Sequence, residues 1–220
     1  MSKRTQPRIW TTKTYNRVSR HYDAIMKYFF PIGEKGREKI VEKLTSGSVL
    51  DVACGTGTLL EMAKKKGLEC YGIDISEGML AQEKRKIPDV EVSQASYYEL
   101  PYTEESFDFA VATNALSGDF IDARKVILEM IRVCRTGGWI YIAEWPKAEK
   151  DTFIERLVVW FASLNDDAPK DYLEIFGEMG FEPEVDILSE RYHIYGIRKK
   201  DKSETKPPNP NCRRLGFASG

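Results

Sequence analysis

Seven residues, Asp51-Val52-Ala53-Cys54-Gly55-Thr56-Gly57, constrain this chain more than any other stretch. They join a short apolar run at 49–54 to a helical period carrying Leu59, Leu60, Met62 and Ala63. An apolar strand that ends in a glycine-rich turn and opens a helix begins a strand–helix–strand unit, and the glycines let a ligand approach the backbone closely. The pattern recurs. A second run at 71–75 leads into a helix capped by Ser76, reaching about Lys86 and stopped by Pro88. A third strand is predicted near 90–95 and a fourth at 107–113, followed by a helix whose Ala123, Val126, Ile127, Met130 and Cys134 share one face. Gly137-Gly138 turns the chain into a fifth strand at 139–143. A helix over 169–179, ended by Gly180, precedes two runs at 184–188 and 192–198, close enough to form an antiparallel hairpin at the sheet edge.

A dinucleotide site also uses glycines at the first turn and an acid about 20 residues later. Two details oppose it here. The third glycine of such a fingerprint would fall at Leu60, and the anionic Asp51 beneath the turn would repel a pyrophosphate. The same carboxylate suits a ligand bearing an ammonium group. Asp74, 17 residues after Gly57 at the tip of the next strand, is placed to accept hydrogen bonds from both hydroxyls of a ribose. Ribose and cation together point to S-adenosylmethionine.

From about Tyr15 to Lys199 the sequence resembles the class I S-adenosylmethionine-dependent methyltransferases. Residues 51–57 look like the family's first motif and Gly72-Ile73-Asp74-Ile75-Ser76 like its acidic strand. Leu100-Pro101-Tyr102 with Ser106-Phe107-Asp108, and Val133-Cys134-Arg135-Thr136-Gly137-Gly138, stand where the family has an LPF…SFD stretch and a Lys-Pro-Gly-Gly turn. Within the family, 15–23 resembles the N-terminal helix of ubiquinone/menaquinone C-methyltransferases and of bacterial phospholipid N-methyltransferases. The resemblance implies an α/β three-layer sandwich with a seven-stranded, mostly parallel sheet of order 3-2-1-4-5-7-6, its last strand antiparallel. It also implies that Gly55 and Gly57 shape the turn over the cofactor, Asp51 faces its methionine end and Asp74 holds its ribose. Tyr15, Tyr22, Ala53, Cys54, Thr56, Ile75, Met79, Ser96, Tyr97 and Asn114 complete the expected cofactor set, with Tyr22, His21 and Asn114 as candidate catalytic residues. Ser96 stands where an Asp often accepts the adenine amino group. Its neutral hydroxyl would bind more weakly, leaving backbone groups and the Tyr97-Tyr98 pair to help.

Other features bound the function. A formal net charge of −1 disfavours sequence-blind phosphate binding, and no Asp/Asn-Pro-Pro-aromatic tetrapeptide follows the fourth strand, where Thr113-Asn114-Ala115-Leu116 stands. Nucleic acid is therefore not an expected partner. The uninterrupted apolar run at 157–162 is far short of the ~20 residues that span a bilayer. The first ten residues lack a secretory core, and Cys54, Cys70, Cys134 and Cys212 are scattered, so the expectation is a reduced cytoplasmic protein without a bound metal. Cys54 reads as a packing residue, and His193 as a surface residue of an edge strand. Residues 1–30 carry seven Lys/Arg and one acid, interleaved with aromatics and interrupted by Pro31 and Gly33. We expect 1–33 to form lid helices, with peripheral membrane contact as a candidate property, 34–200 to form the cofactor-binding domain and 201–220 to be a disordered tail. An apolar stripe at 151–164 would line a substrate pocket, join a second subunit in a homodimer, or touch lipid. Asn114 and Glu144, after the fourth and fifth strands, are acceptor-site candidates or loop caps. The expected activity is methyl transfer to a small apolar or lipid-like acceptor. The rival is a catalytically silent cofactor-binding module that supports a protein partner.

Overall fold

The computed structural model describes residues 12–29, 31–117, 121–145, 170–189 and 192–201. Seven strands form one sheet: β1 (Ser48–Val52), β2 (Glu69–Asp74), β3 (Glu91–Gln94), β4 (Phe107–Thr113), β5 (Cys134–Glu144), β6 (Glu184–Ser189) and β7 (Tyr192–Arg198). Their order is β3-β2-β1-β4-β5-β7-β6, as the resemblance implied. Strands β3 to β5 pair in parallel, while β7 runs antiparallel to both β5 and β6. The hairpin thus places β6 at the edge and β7, with His193, inside the sheet.

The helices are α1 (Thr12–Val18), α2 (Tyr22–Phe29), α3 (Pro31–Lys43), α4 (Thr58–Lys65), α5 (Glu77–Lys86), α6 (Ala123–Val133) and α7 (Tyr172–Glu178). Sheet periodicity sends alternate residues to opposite faces. Leu50, Val52, Ala110, Ala112, Ile140 and Ile142 meet Val126, Ile127 and Met130 of α6 and Tyr172 and Phe176 of α7. Val49, Phe109, Val111, Tyr141 and Ala143 meet Ile40 and Leu44 beneath α3, Leu59 and Leu60 of α4, and Leu80 of α5. Covered on both faces, β1 is buried at all five positions, which is why its sequence reads as a nearly continuous apolar run.

Several boundaries differ from the sequence reading. Strand β1 ends at Val52 rather than residue 54, because Ala53 adopts φ +64° and the Cys54 amide donates to Ile73 O at 2.8 Å. Strand β5 starts at Cys134, immediately after α6. Gly137, at φ +83°, donates to Lys199 O, and Lys199 N returns a bond to Gly138 O, which holds the loop expected before residue 139 in the sheet. Pro31 and Gly33 do not break the chain into a free lid. Proline is tolerated in a first helical turn, and α3 runs through both residues onto the sheet face. A boundary after residue 33 therefore falls inside α3. The expected 151–164 stripe and most of the expected tail lie outside the described residues.

Two motif segments have structural roles. Asp108 accepts bonds from Ser48 N at 2.8 Å and Ser48 Oγ at 3.0 Å and pairs with Arg135, tying β1, β4 and β5 at the amino edge of the sheet. Arg132 donates to Tyr102 O at 2.7 Å and Leu100 O at 3.0 Å, anchoring the Leu100-Pro101-Tyr102 loop to α6.

Candidate cofactor site at the carboxyl edge of the sheet

The turn after β1 places three left-handed residues at alternate positions: Ala53 at φ +64°, Gly55 at +56° and Gly57 at +77°. The two glycines are needed for different reasons. A Cβ on Gly57 would lie 2.5 Å from Cγ of Glu83, so the turn packs directly on α5. A Cβ on Gly55 would meet nothing within 4 Å, so its missing side chain leaves open space over the turn. That open approach fits a ligand lying against the backbone.

Two acids flank the space. Asp74 is almost buried, and its oxygens accept bonds from Gly55 N at 2.9 Å and Ser76 N at 2.7 Å. A carboxylate oxygen accepts more than one hydrogen bond, so Asp74 both shapes the turn and retains capacity for ribose hydroxyls. Its pKa is raised, chiefly by burial, with the backbone bonds from Ser76 and Gly55 opposing. Asp51 is 2% exposed, and its Oδ1 has no hydrogen-bond partner. Burial pushes its pKa up to about 7; the Arg37 charge pulls it down and Asp74 pushes it further up. An orphaned buried carboxyl oxygen beside an open glycine turn fits a bound ammonium group, as the methionine end of S-adenosylmethionine provides. Chain geometry and donor set both suit the cofactor.

The remaining expected cofactor residues divide by location. Cys54 is buried against Gly72, and burial pushes its thiol well above the ordinary range, consistent with packing rather than nucleophilic chemistry. Ile75, half exposed beyond β2, and Met79, buried in the first turn of α5, lie on either side of the Ser76 cap. Ser96 Oγ accepts from Tyr98 N at 3.2 Å, so this hydroxyl already closes a local turn. Tyr97 and Tyr98 meet edge to face at 4.7 Å, with Tyr98 Oη accepting from Asp122 N at 3.0 Å. Thr56 donates its hydroxyl to Asp23 of α2, which also pairs with Lys86 of α5. Asn16 of α1 reaches the start of α5, where its Oδ1 accepts from Ser76 Oγ at 2.6 Å and Gly78 N at 2.9 Å. Tyr15 and Tyr22 meet edge to face at 6.2 Å. The N-terminal helices are thus fastened to the glycine turn itself. His21 is exposed in the turn between α1 and α2.

Asn114 has φ +53° and directs its backbone amide to Ala143 O at 2.9 Å. Glu144 is fully buried, and its Oε1 accepts from Ala115 N at 2.5 Å and Leu116 N at 2.6 Å. It acts as a brace for the loop after β4. Glu144→Ala should strand both amides and cost about 3 kcal/mol, lowering Tm by roughly 6–12 °C for a chain of this size. Thermal melts check this, and Glu144→Gln, which keeps an acceptor oxygen, should recover much of the loss.

Sequence reasoning did not single out Asn16, Asp23, Arg37, Glu83 or Tyr192. Asn16 and Asp23 had a weak signal, as the polar members of an aromatic segment. Arg37, Glu83 and Tyr192 had none, since each becomes informative only when its helix or strand lies over the carboxyl edge.

Residues 50–142 match a methyltransferase domain family. The chain is 29% identical over 149 residues to the demethylmenaquinone methyltransferase of Renibacterium salmoninarum, covering 64% of this chain and 62% of that protein. It is 34% identical over 113 residues to the ubiquinone/menaquinone biosynthesis C-methyltransferase UbiE of Campylobacter jejuni, covering 48% of each. The chain thus spans about half to three-fifths of the length of these curated relatives. A S-adenosylmethionine-dependent methyltransferase from Thermotoga maritima shares the fold with a TM-score of 0.65 at 17% identity, covering 84% of this chain and 98% of that one. With the strand order and the glycine turn already established, residues 50–142 of this chain match a methyltransferase domain, and the sheet has the fold of S-adenosylmethionine-dependent methyltransferases.

Proposed function

We propose that the chain transfers a methyl group from S-adenosylmethionine to a small, apolar, ring-bearing or lipid-like acceptor. The observation that carries the cofactor half is the orphaned Asp51 carboxyl beside the unobstructed Gly55 turn. The acceptor half rests on the aromatic pair Trp145 and Tyr192 at the carboxyl edge, and on relatives named for quinone-type compounds.

When bound, S-adenosylmethionine supplies an electrophilic methyl group on a sulfonium, and the displacement needs no covalent residue. The protein's task is alignment and exclusion of water. Asp51 would neutralise the ammonium group and Asp74 would hold the ribose. Tyr15 and Tyr22, on helices fastened to Asp74's neighbourhood by Asn16 and to the turn by Asp23, would cover the reacting end and offer aromatic faces to a cation. Tyr22 suits this role better than exposed His21.

The N-terminal helices therefore act as a lid in this reading. Asp23→Ala would free α2 from both Thr56 and Lys86, and turnover should fall about 10-fold through loss of alignment, with S-adenosylhomocysteine affinity changing much less. Steady-state kinetics and calorimetry on the same variant check the split. The reading as a whole is tested by incubating the full chain and methyl-labelled cofactor with a fractionated cell extract. Label entering an apolar small-molecule fraction supports it. Label confined to macromolecules, or no transfer into any fraction, contradicts it.

A further inference from the structure

Helix α3 carries two buried glycines one turn apart, Gly33 and Gly36. A Cβ on Gly33 would lie 3.2 Å from Nδ2 of Asn114, and one on Gly36 would lie 2.4 Å from Cε1 and 3.2 Å from Oη of Tyr192. Glycine weakens a helix interior relative to alanine, yet here it lets the helix backbone close over two polar side chains. The Asn114 amide lies beside the Tyr192 hydroxyl, but no bond of normal geometry joins them. Tyr192 is fully buried with its hydroxyl lacking a hydrogen bond, and both amide atoms of Asn114 also lack one. Native structures leave few such groups unpaired, and clusters of them call for a missing partner.

Position on the sheet identifies the partner's side of the site. Strand β4 lies between β1 and β5, and β7 lies beyond β5. Tyr192 immediately precedes His193, which lies opposite Glu144 at the end of the β5 ladder, so it stands at the same carboxyl edge as the glycine turn but on its far side. Asn114, after β4, stands between them. Apolar groups also meet Tyr192 here: Trp145 packs edge to face on it at 5.3 Å, and Ile32 and Leu188 pack on the core cluster to which it belongs. Burial and then the Glu144 charge raise the Tyr192 pKa, against the opposing Arg37 charge and Asn114 amide, so the phenol is a protonated donor at neutral pH.

We propose that Tyr192 and Asn114 form the polar end of the acceptor pocket and hydrogen-bond one neutral oxygen function, a ring hydroxyl or ring carbonyl, of an otherwise apolar methyl acceptor. This rests on the methyl-transfer reading above and adds the chemistry by which the acceptor is recognised. A phenol and an amide together offer a donor and an acceptor, which a hydroxyl satisfies in full and a carbonyl in part. An analogue lacking the oxygen leaves both groups buried and unpaired, which is the arrangement by which a site rejects it.

The test compares binding of 1-naphthol and 1-methylnaphthalene to the full chain saturated with S-adenosylhomocysteine, in the wild type, Tyr192→Phe and Asn114→Gly. Phenylalanine keeps the ring packing, and glycine tolerates the left-handed backbone of position 114. The wild type should prefer the naphthol by about 10-fold, and each variant should lose most of that preference. Tyr192→Phe should retain wild-type affinity for S-adenosylhomocysteine, which a collapsed site would not. If the wild type shows no preference, or Tyr192→Phe keeps it, the inference is overturned while the methyl-transfer reading stands. If the wild type fails to bind S-adenosylhomocysteine, the methyl-transfer reading falls and this inference falls with it.

Discussion

Gly55→Val should abolish binding of S-adenosylhomocysteine while leaving the chain folded. The position has φ +56°, and a Cβ there meets no protein atom within 4 Å, so the valine methyls would project into the space above the turn. Left-handed backbone strains a β-branched residue by about 1–3 kcal/mol, which corresponds to roughly 2–12 °C in Tm for a chain of this size. Steric occupation of the ligand's place should weaken binding by more than about 100-fold, or about 3 kcal/mol. Calorimetry and thermal melts on one preparation separate the two effects. Gly57→Ala makes the informative contrast: its Cβ would strike Cγ of Glu83 at 2.5 Å, so there the damage should appear mainly as lost stability. Unchanged binding by Gly55→Val would mean that the ligand lies elsewhere.

Asp51→Asn should make the ligand-free protein more stable at pH 8 and a poorer cofactor binder. The Asp51 pKa is about 7 in the folded protein against an ordinary 3.8. The folded state therefore keeps this proton up to neutrality, whereas the unfolded chain has lost it by about pH 5. Its ionisation leaves stability untouched below about pH 4 and erodes it as the pH rises through 7. A shift of about three units corresponds to a loss on the order of 4 kcal/mol once the group is charged. Glu83, fully buried with neither carboxyl oxygen hydrogen-bonded, is raised by burial to about 7 and acts in the same direction. Asp51→Asn should thus remove part of the decline between pH 5 and pH 8, seen by urea unfolding at both values. Affinity for S-adenosylhomocysteine should fall by about 10-fold or more, through loss of a charged partner for the ammonium group. A variant less stable than wild type at pH 8 would show that the carboxylate has a partner in the ligand-free protein.

These expectations separate what the sequence makes legible from what it does not. Local patterns located every strand, all but the start of β5 closely, because β1 and β4 are nearly unbroken apolar runs and Ser76 caps α5 as its type predicts. Asp51 and Asp74 were legible as candidates because each lies at the carboxyl end of its strand, Asp51 in the run that leads into the glycine turn. The extension of α3 through Gly33 and Gly36 was not, since glycine in a helix normally signals interruption and the close contacts these glycines allow lie with Asn114 and Tyr192, far away in sequence. Thr56 illustrates the same limit: its place in the motif is plain, but the Asp23 and Lys86 side chains that engage it come from two other helices. Glu144 could be read as either a ligand or a loop brace until its two short backbone bonds were seen. Residues placed by local backbone geometry are legible in the sequence, and those placed by tertiary apposition are not.

The central claim is that S-adenosylmethionine binds at the Gly55 turn with its ammonium group against Asp51. It is tested most directly by titrating S-adenosylhomocysteine into the full chain at pH 7 in two buffers of different ionisation enthalpy. With the Asp51 pKa near 7, a fraction of the free protein carries a proton there, and a bound ammonium group should expel it. The account predicts one site per chain, release of a substantial fraction of a proton in the wild type, and no release in Asp51→Asn. Absence of binding, or equal proton release by wild type and Asp51→Asn, would contradict it.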